Sequence, residues 1–226
     1  MSLTQFQEQI EIEREWREAE IRFLDNIQHS LKNEVDRKRI RRSIVCLIYA
    51  HIEGFIKFSF TLYIDQINKL NLNCKEVVPV IAAASFHKEF IAMQNSNKKN
   101  PFFRKKLPYE KHLHKLFRQT EFIENISNFY KHKVKISEEY ISTEDNIGPE
   151  VLEKLLFQIG HDYEELKTIY APLKRLLNVR NDIAHGKRKN GIDDNDYTIF
   201  KNCTHSIISA ISSLLTVSYG EKHYLQ

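Results

Sequence analysis

Glycine and proline are scarce in this chain, with 6 and 5 among 226 residues. So little turn punctuation argues against an all-β fold, which spends such residues at every hairpin and corner. Cysteine is scarcer still. Cys46, Cys74 and Cys203 are odd in number, far apart and free of any CxxC spacing. They read as reduced core thiols of a cytoplasmic protein, and not as a disulfide frame or a zinc site. A long hydrophobic run is also wanting. The longest, Val77 to Phe86, is interrupted by Pro79 and is about half the length of a membrane span. The opening MSLTQFQEQIEIEREW is charged throughout and is no signal peptide, so a soluble protein with no membrane partner is expected. Charge of one sign is lacking too: the formal net charge is +4 and the pI about 8.8, compatible with nucleic acid without demanding it.

What is present is helix. Hydrophobic residues make up 42% and aromatics 11%, enough for a packed core. Residues 5–33 space Phe6, Ile10, Trp16, Ile21 and Leu24 at helical intervals, with Glu/Arg pairs on the outer face. Residues 36–70 hold no proline and a single glycine, Gly54, and predict a central helix packed on more than one side. Gly54 in mid-helix costs about 1 kcal/mol against alanine, which suggests close packing there. One further helix is expected around residues 79–94, helical pieces over 108–132, and a polar connector at 137–149. Pro149 fits the first turn of a helix reaching about Ile159, and Asp162 fits an N-cap for the next. Pro172 must start a helix or kink one. Gly186 supplies a left-handed stop, and residues 196–218 form a last amphipathic helix. The fold class is all-α, an antiparallel helical bundle in a single domain.

Basic residues are unevenly placed. One group lies at Lys98, Lys99, Arg104, Lys105, Lys106, Lys111 and Lys115, with Phe102 and Phe103 interleaved, a pattern that can hold single-stranded RNA by phosphate contact and stacking. A second brackets one short segment: Lys174, Arg175, Arg180, Lys187, Arg188 and Lys189. That segment reads Arg180-Asn181-Asp182-Ile183-Ala184-His185-Gly186. It sets an arginine, an amide and a histidine within about one and a half helical turns. Histidine titrates near neutrality and can move a proton, and a guanidinium can steady a phosphate as charge builds on it. Together they can cleave RNA with the neighbouring 2′-OH as nucleophile, with no metal or other cofactor required. Asn181 and His185 are i and i+4 and share a face, while Arg180 lies about 140° round from His185. One straight helix does not focus all three on a small target, whereas two copies across a twofold axis can. The plainer reading makes Asn181 or Asp182 a helix cap and Arg180 a salt-bridge partner. Glu53, on the apolar helix 36–70, is a further candidate that can reach Arg180 or His185, or else stand solvated. His112 and His114, in HLH, lie about 200° apart on a helix and cannot chelate a metal together.

The segment RNDIAHG resembles the R-[N/D/H]-x-x-x-H signature of the HEPN superfamily. STEDNIGPEVLEKLLFQIG with LKRLLNVR, and IYAHIEGFIK at 48–57, resemble its large bacterial branch of MAE-type and RiboL-PSP-type proteins. The resemblance covers roughly residues 35–220. It implies one HEPN-like domain over 1–226 with extra N-terminal and middle helices, 1–34 being a peripheral helix. It implies a metal-independent endoribonuclease of prokaryotic defence or of a toxin–antitoxin pair, with RNA as substrate and an antitoxin protein as a partner. The homodimer it implies faces two motifs across its axis. Arg180, Asn181, His185 and Glu53 are then the catalytic set, and Lys174, Lys187, Arg188, Lys105 and Lys106 contact RNA. The alternative within the superfamily is a non-catalytic module that binds RNA, nucleotide or a partner protein. Lys187 stands two residues after the histidine, where one variant of the family carries a modified tyrosine, so that regulation is not implied.

Overall fold

Ser2 starts the first helix with a reciprocal cap. Its hydroxyl accepts from the Gln5 N–H at 3.2 Å, and the Gln5 side chain accepts from the Ser2 N–H at 3.0 Å. The helix that follows, α1, runs Leu3–Ser30, and after a short break α2 runs Glu34–Lys69. The computed structural model describes residues 1–94 and 111–226. It is 75% helical, an all-α bundle as the glycine and proline content predicts. Among the described residues there are no strands, and the extended chain makes two isolated bridges, Asn73 with Lys133 and Val77 with Leu225. The remaining helices are α3 (Pro79–Ser85), α4 (His87–Gln94), α5 (Lys111–Glu124), α6 (Ile126–Phe129), α7 (Pro149–Gln158), α8 (Lys167–Ala184) and α9 (Asp194–Gly220). The chain divides into two compact units, Met1–Tyr63 with Ile141–Lys222, and Ile64–Tyr140 with His223–Gln226.

In the first unit α1 lies along α9, and α9 along α8. The helical spacing of α1 buries Phe6, Ile10 and Ile21, and Phe6 stacks on Tyr219 with centroids 4.5 Å apart. Ile12, Trp16 and Phe23 share the apolar pattern yet stay exposed, because α1 presents one stripe inward. The α2 portion is apolar nearly all round, with Ile44, Ile48, Ile52, Phe55 and Phe60 buried. By length and composition α2 is apolar enough to cross a membrane, a property the run at 77–86 does not reveal; more than half of the qualifying stretch is buried inside the protein, as in a core helix. Gly54 leaves room for α1: a Cβ there would stand 3.0 Å from the Arg17 guanidinium. Arg41, fully buried, ties three helices together. It donates to Gln28 at 2.9 Å and pairs with Glu34 at 3.2 Å and Asp194 at 2.8 Å.

Asp162 caps as expected, but it caps a 3-10 turn, Tyr163–Leu166, that leads into α8. That helix continues through Pro172 and buries Ile169, Leu173, Leu176, Leu177 and Val179. The lost bond is the single one that would reach Thr168, close to the helix start.

In the second unit the single helix expected around 79–94 is two, α3 and α4, separated at Phe86. Phe86 leaves the helical register to join an aromatic cluster, 5.3 Å from Phe129 and 6.5 Å from Phe90. Asn68 donates to the Ile136 carbonyl at 2.9 Å and accepts from its N–H at 2.8 Å, pinning extended chain to the end of α2. His112 is exposed and His114 buried on α5, as the helical periodicity requires. Lys98, Lys99, Phe102, Phe103, Arg104, Lys105 and Lys106 lie outside the described residues.

Candidate active site

The RNDIAHG segment ends α8 in the way its glycine dictates. His185 is the C-cap, and Gly186 follows at φ +70°. The Gly186 N–H reaches the Ile183 carbonyl at 3.0 Å, and the Lys187 N–H reaches that of Asp182 at 2.8 Å. This paired return satisfies two of the last carbonyls of the helix, and only a residue content with positive φ can make it. Capping is therefore done by the backbone around Gly186, which leaves Arg180, Asn181 and His185 free for other work. Arg180 has no salt-bridge partner among the described residues.

Arg180 is half-buried, and its guanidinium carbon sits 4.6 Å from the centroid of the Tyr49 ring. Its Nη1 donates to Asn181 Oδ1 at 2.9 Å, and Asn181 Nδ2 donates to Asn146 Oδ1 at 3.1 Å. Asn181 thus orients the arginine and joins it to the 141–148 segment; its carbonyl accepts from the His185 N–H at 2.9 Å, while its side chain makes no hydrogen bond to the imidazole. The histidine is exposed, and its ring has no hydrogen bond or ion pair among the described residues. Arg180 and His185 are five residues apart on one helix and look into different surroundings, as the 140° separation requires.

Tyr49 is the platform of this arrangement. Its ring is buried, and its hydroxyl donates to the Ile147 carbonyl at 3.2 Å. Burial pushes the hydroxyl pKa up, the Glu53 carboxylate pushes the same way, and the Arg180 charge opposes them. Glu53 lies one turn along α2 from Tyr49 and accepts from Thr143 Oγ1 at 3.1 Å. Of the two readings of Glu53, pairing with Arg180 or His185 or standing solvated, neither describes its contact: among the described residues it makes no ion pair with either, and its carboxylate serves the 141–148 segment.

That segment is strained and held. Glu144 and Asp145 are consecutive non-glycine residues in the left-handed region, at φ 56° and 51°. Lys154 Nζ clamps them through the Ser142 carbonyl at 2.9 Å and Glu144 Oε1 at 2.6 Å. With Tyr49, Glu53 and Asn181 also attached, the segment is over-determined, the condition under which such backbone strain persists.

The basic residues divide. Lys174 pairs with Glu150 at 2.6 Å, which answers its charge. Lys187 is exposed and makes no ion pair among the described residues. Arg188 is half-buried, and its backbone carbonyl, with that of Lys189, faces Arg42. Lys105 and Lys106 fall outside the described residues. Sequence reasoning passed over Tyr49, Asn146, Thr143 and Arg42. The spacing of Arg42, Cys46, Tyr49 and Glu53, at one, two and three turns from the first, marks a single stripe of α2 and was the available signal. Among the described residues no group of three or more His, Cys, Asp or Glu side chains is arranged to hold a metal ion.

No curated protein and no solved structure matches the chain. A family model does, over residues 12–217, and its reach includes most of α1, beyond the residues 35–220 over which the resemblance is legible by eye. With all but the two ends of the chain matched, the protein belongs to the RiboL-PSP-HEPN family of the HEPN superfamily, whose members are often RNases.

Proposed function

We propose that this chain is an endoribonuclease that works without a metal ion. The observation that carries the reading is the state of Arg180: a guanidinium held against Tyr49 and Asn181, with no carboxylate among the described residues to neutralise it, on the same helix end as an exposed His185 whose ring has no partner among them. An arginine kept this way is held for an anion. In the reaction the 2′-oxygen of the substrate forms a bond to the adjacent phosphorus, and the bond from phosphorus to the 5′-oxygen breaks. The 2′-OH proton is lost to a base, and the departing 5′-oxygen takes a proton. His185 supplies one of these proton transfers, and Arg180 steadies the phosphoryl oxygens. The Asn181 side chain fixes Arg180 and leaves the imidazole alone. Glu53 acts through Thr143 and Tyr49.

Arg180 and His185 of one chain diverge, so the complete site is built from two chains, with each motif facing its copy across a twofold axis. Family membership supports a role as an effector of defence or as the toxin of a toxin–antitoxin pair, held in check by an antitoxin protein.

The test is cleavage of single-stranded RNA by purified protein in excess EDTA. Products ending in 2′,3′-cyclic phosphate and 5′-OH are expected. Strict dependence on added magnesium or manganese would sink the mechanism, and RNA that is bound but uncut would favour a non-catalytic binding module. Mixing an Arg180→Ala chain with a His185→Ala chain should restore partial activity if one site is shared. Full activity in a protein that light scattering shows to be a monomer would remove the shared site.

A further inference from the structure

The unit that holds the motif contains ten arginines. Seven of them, from Arg14 to Arg175, have a carboxylate within ion-pair distance. The three that have none among the described residues are Arg42, Arg180 and Arg188. They are also gathered in one place. Arg42 Nη1 donates to the Lys189 carbonyl at 2.7 Å and to that of Arg188 at 3.5 Å, so α2 grips the chain that leaves the motif helix. The same loop is pinned again where the Ile192 N–H meets the Lys38 carbonyl at 2.9 Å. Cys46, one turn beyond Arg42, links this group to Arg180: burial pushes its thiol pKa up, and the charges of Arg180 and Arg42 both act against that. Tyr49, two turns beyond Arg42 on the same stripe of α2, carries the Arg180 guanidinium on its ring, 4.6 Å from the centroid, so both arginines border that stripe. Arg42 keeps Nε and Nη2 without a hydrogen bond, and Arg188 Nε is shielded from solvent with no acceptor.

Elsewhere in this unit the fold answers each guanidinium with a carboxylate; Arg42 and Arg180, along one stripe of α2, and Arg188, on the loop that Arg42 holds, have none among the described residues. Like charges gathered without counterions lower stability, and a buried donor without an acceptor lowers it further. Both penalties disappear when a polyanion arrives. We infer that Arg42 and Arg188 form a second phosphate subsite beside Arg180, which holds the backbone phosphate of an RNA strand next to the one being cut. The subsite rests on the ribonuclease reading for the identity of its ligand. Its chemistry, a phosphodiester backbone gripped by planar donors, follows from the three side chains themselves.

The experiment is binding of a single-stranded 2′-O-methyl RNA oligonucleotide, whose blocked 2′-oxygen cannot attack, to the full-length protein over a range of salt concentrations. Each phosphate contact on a single strand contributes about 0.7 to the slope of log affinity against log salt. Arg42→Gln and Arg188→Gln should each flatten the slope by about that amount and weaken binding several-fold. Arg42→Lys should keep the slope, since the charge remains. If Arg42 only clips the loop, Arg188→Gln will leave the slope at the wild-type value and Arg42→Gln will lower the melting temperature; that result overturns the subsite, as does failure of the wild type to bind the oligonucleotide. Cleavage of ordinary RNA, measured in parallel, separates the two readings. Normal cutting with unchanged slopes in both glutamine variants removes the subsite and leaves the nuclease. Arginine-dependent slopes in a protein that cuts nothing remove the nuclease and leave the subsite.

Discussion

Arg41 and Arg42 are neighbours on α2 and look toward different surroundings in the same unit. Toward α1 and α9 the charges are matched: Arg41 meets Glu34 and Asp194, Arg14 meets Glu18, and Lys201 meets Asp25 at 2.8 Å. Toward the RNDIAHG end of α8 the cations have ring faces, amides and carbonyls for company, and the carboxylate on that stripe, Glu53, is spent on Thr143. The first face uses arginine to hold helices together. The second holds arginines ready, at some cost in stability, for a charge that the protein does not carry. Composition alone hides the difference, because a net charge of +4 averages over both.

The comparison breaks first on activity. Arg180→Ala and His185→Ala should each lower RNA cleavage by at least about 100-fold, the usual worth of a proton-transferring or charge-stabilising group. Neither should change the thermal melt appreciably, since Arg180 has no ion pair among the described residues and His185 is exposed at a helix end that Gly186 terminates. A variant that unfolds would return the motif to a structural role. Arg41→Ala should do the reverse. It removes a buried guanidinium from Gln28 and from two carboxylates that are themselves more than half exposed, so the loss is discounted to about 2 kcal/mol. A lower melting temperature with unchanged cleavage per folded molecule is the expected result, and a drop in cleavage without a change in melt would dissolve the contrast between the two faces.

How far the sequence reveals these faces depends on how local each signal is. The end of α8 was legible because Gly186 acts on its own neighbours, and the start of α7 because Pro149 does the same. The exposed and buried histidines of α5 follow from periodicity alone. The Tyr49 platform was not legible, since Tyr49 and Arg180 meet across more than a hundred residues and no local pattern records such a contact. For the same reason neither the pairing of Lys174 with Glu150 nor the bond from Thr143 to Glu53 leaves a local mark in the sequence. The break at Phe86 belongs to the aromatic cluster, a tertiary preference that overrides a continuous helical pattern.

Tyr49 offers a finer test of the unpaired face. A guanidinium over an aromatic ring is worth about 0.5–2 kcal/mol, so Tyr49→Leu should reduce kcat by about tenfold through loss of the orientation of Arg180. Tyr49→Phe keeps the ring and loses the bond to the Ile147 carbonyl; it should retain most of the activity and cost about 1 kcal/mol of stability. If the two variants lose activity equally, the hydroxyl and not the ring face holds the site together.

The smallest effect sharpens the matched face. His51 is buried beneath Trp16, 5.5 Å between centroids, with Nε2 3.2 Å from Glu20 Oε2 at an angle that makes no hydrogen bond. Burial lowers its pKa below the ordinary value, Glu20 pulls it up, and Arg17 pushes it down again. The unfolded chain therefore takes up a proton before the folded one does. Stability from this group is fully present above the unfolded value of about 6.5 and is lost as pH falls through the lower folded value. The wild type should lose under about 1 kcal/mol between pH ~7 and ~5.5, a window in which carboxylates remain mostly ionised. His51→Gln, which carries no titrating group, should flatten the melting temperature over that window. An equal decline in both proteins would assign it to groups other than His51, and would show that the ion-paired face holds its charges with no histidine set against them.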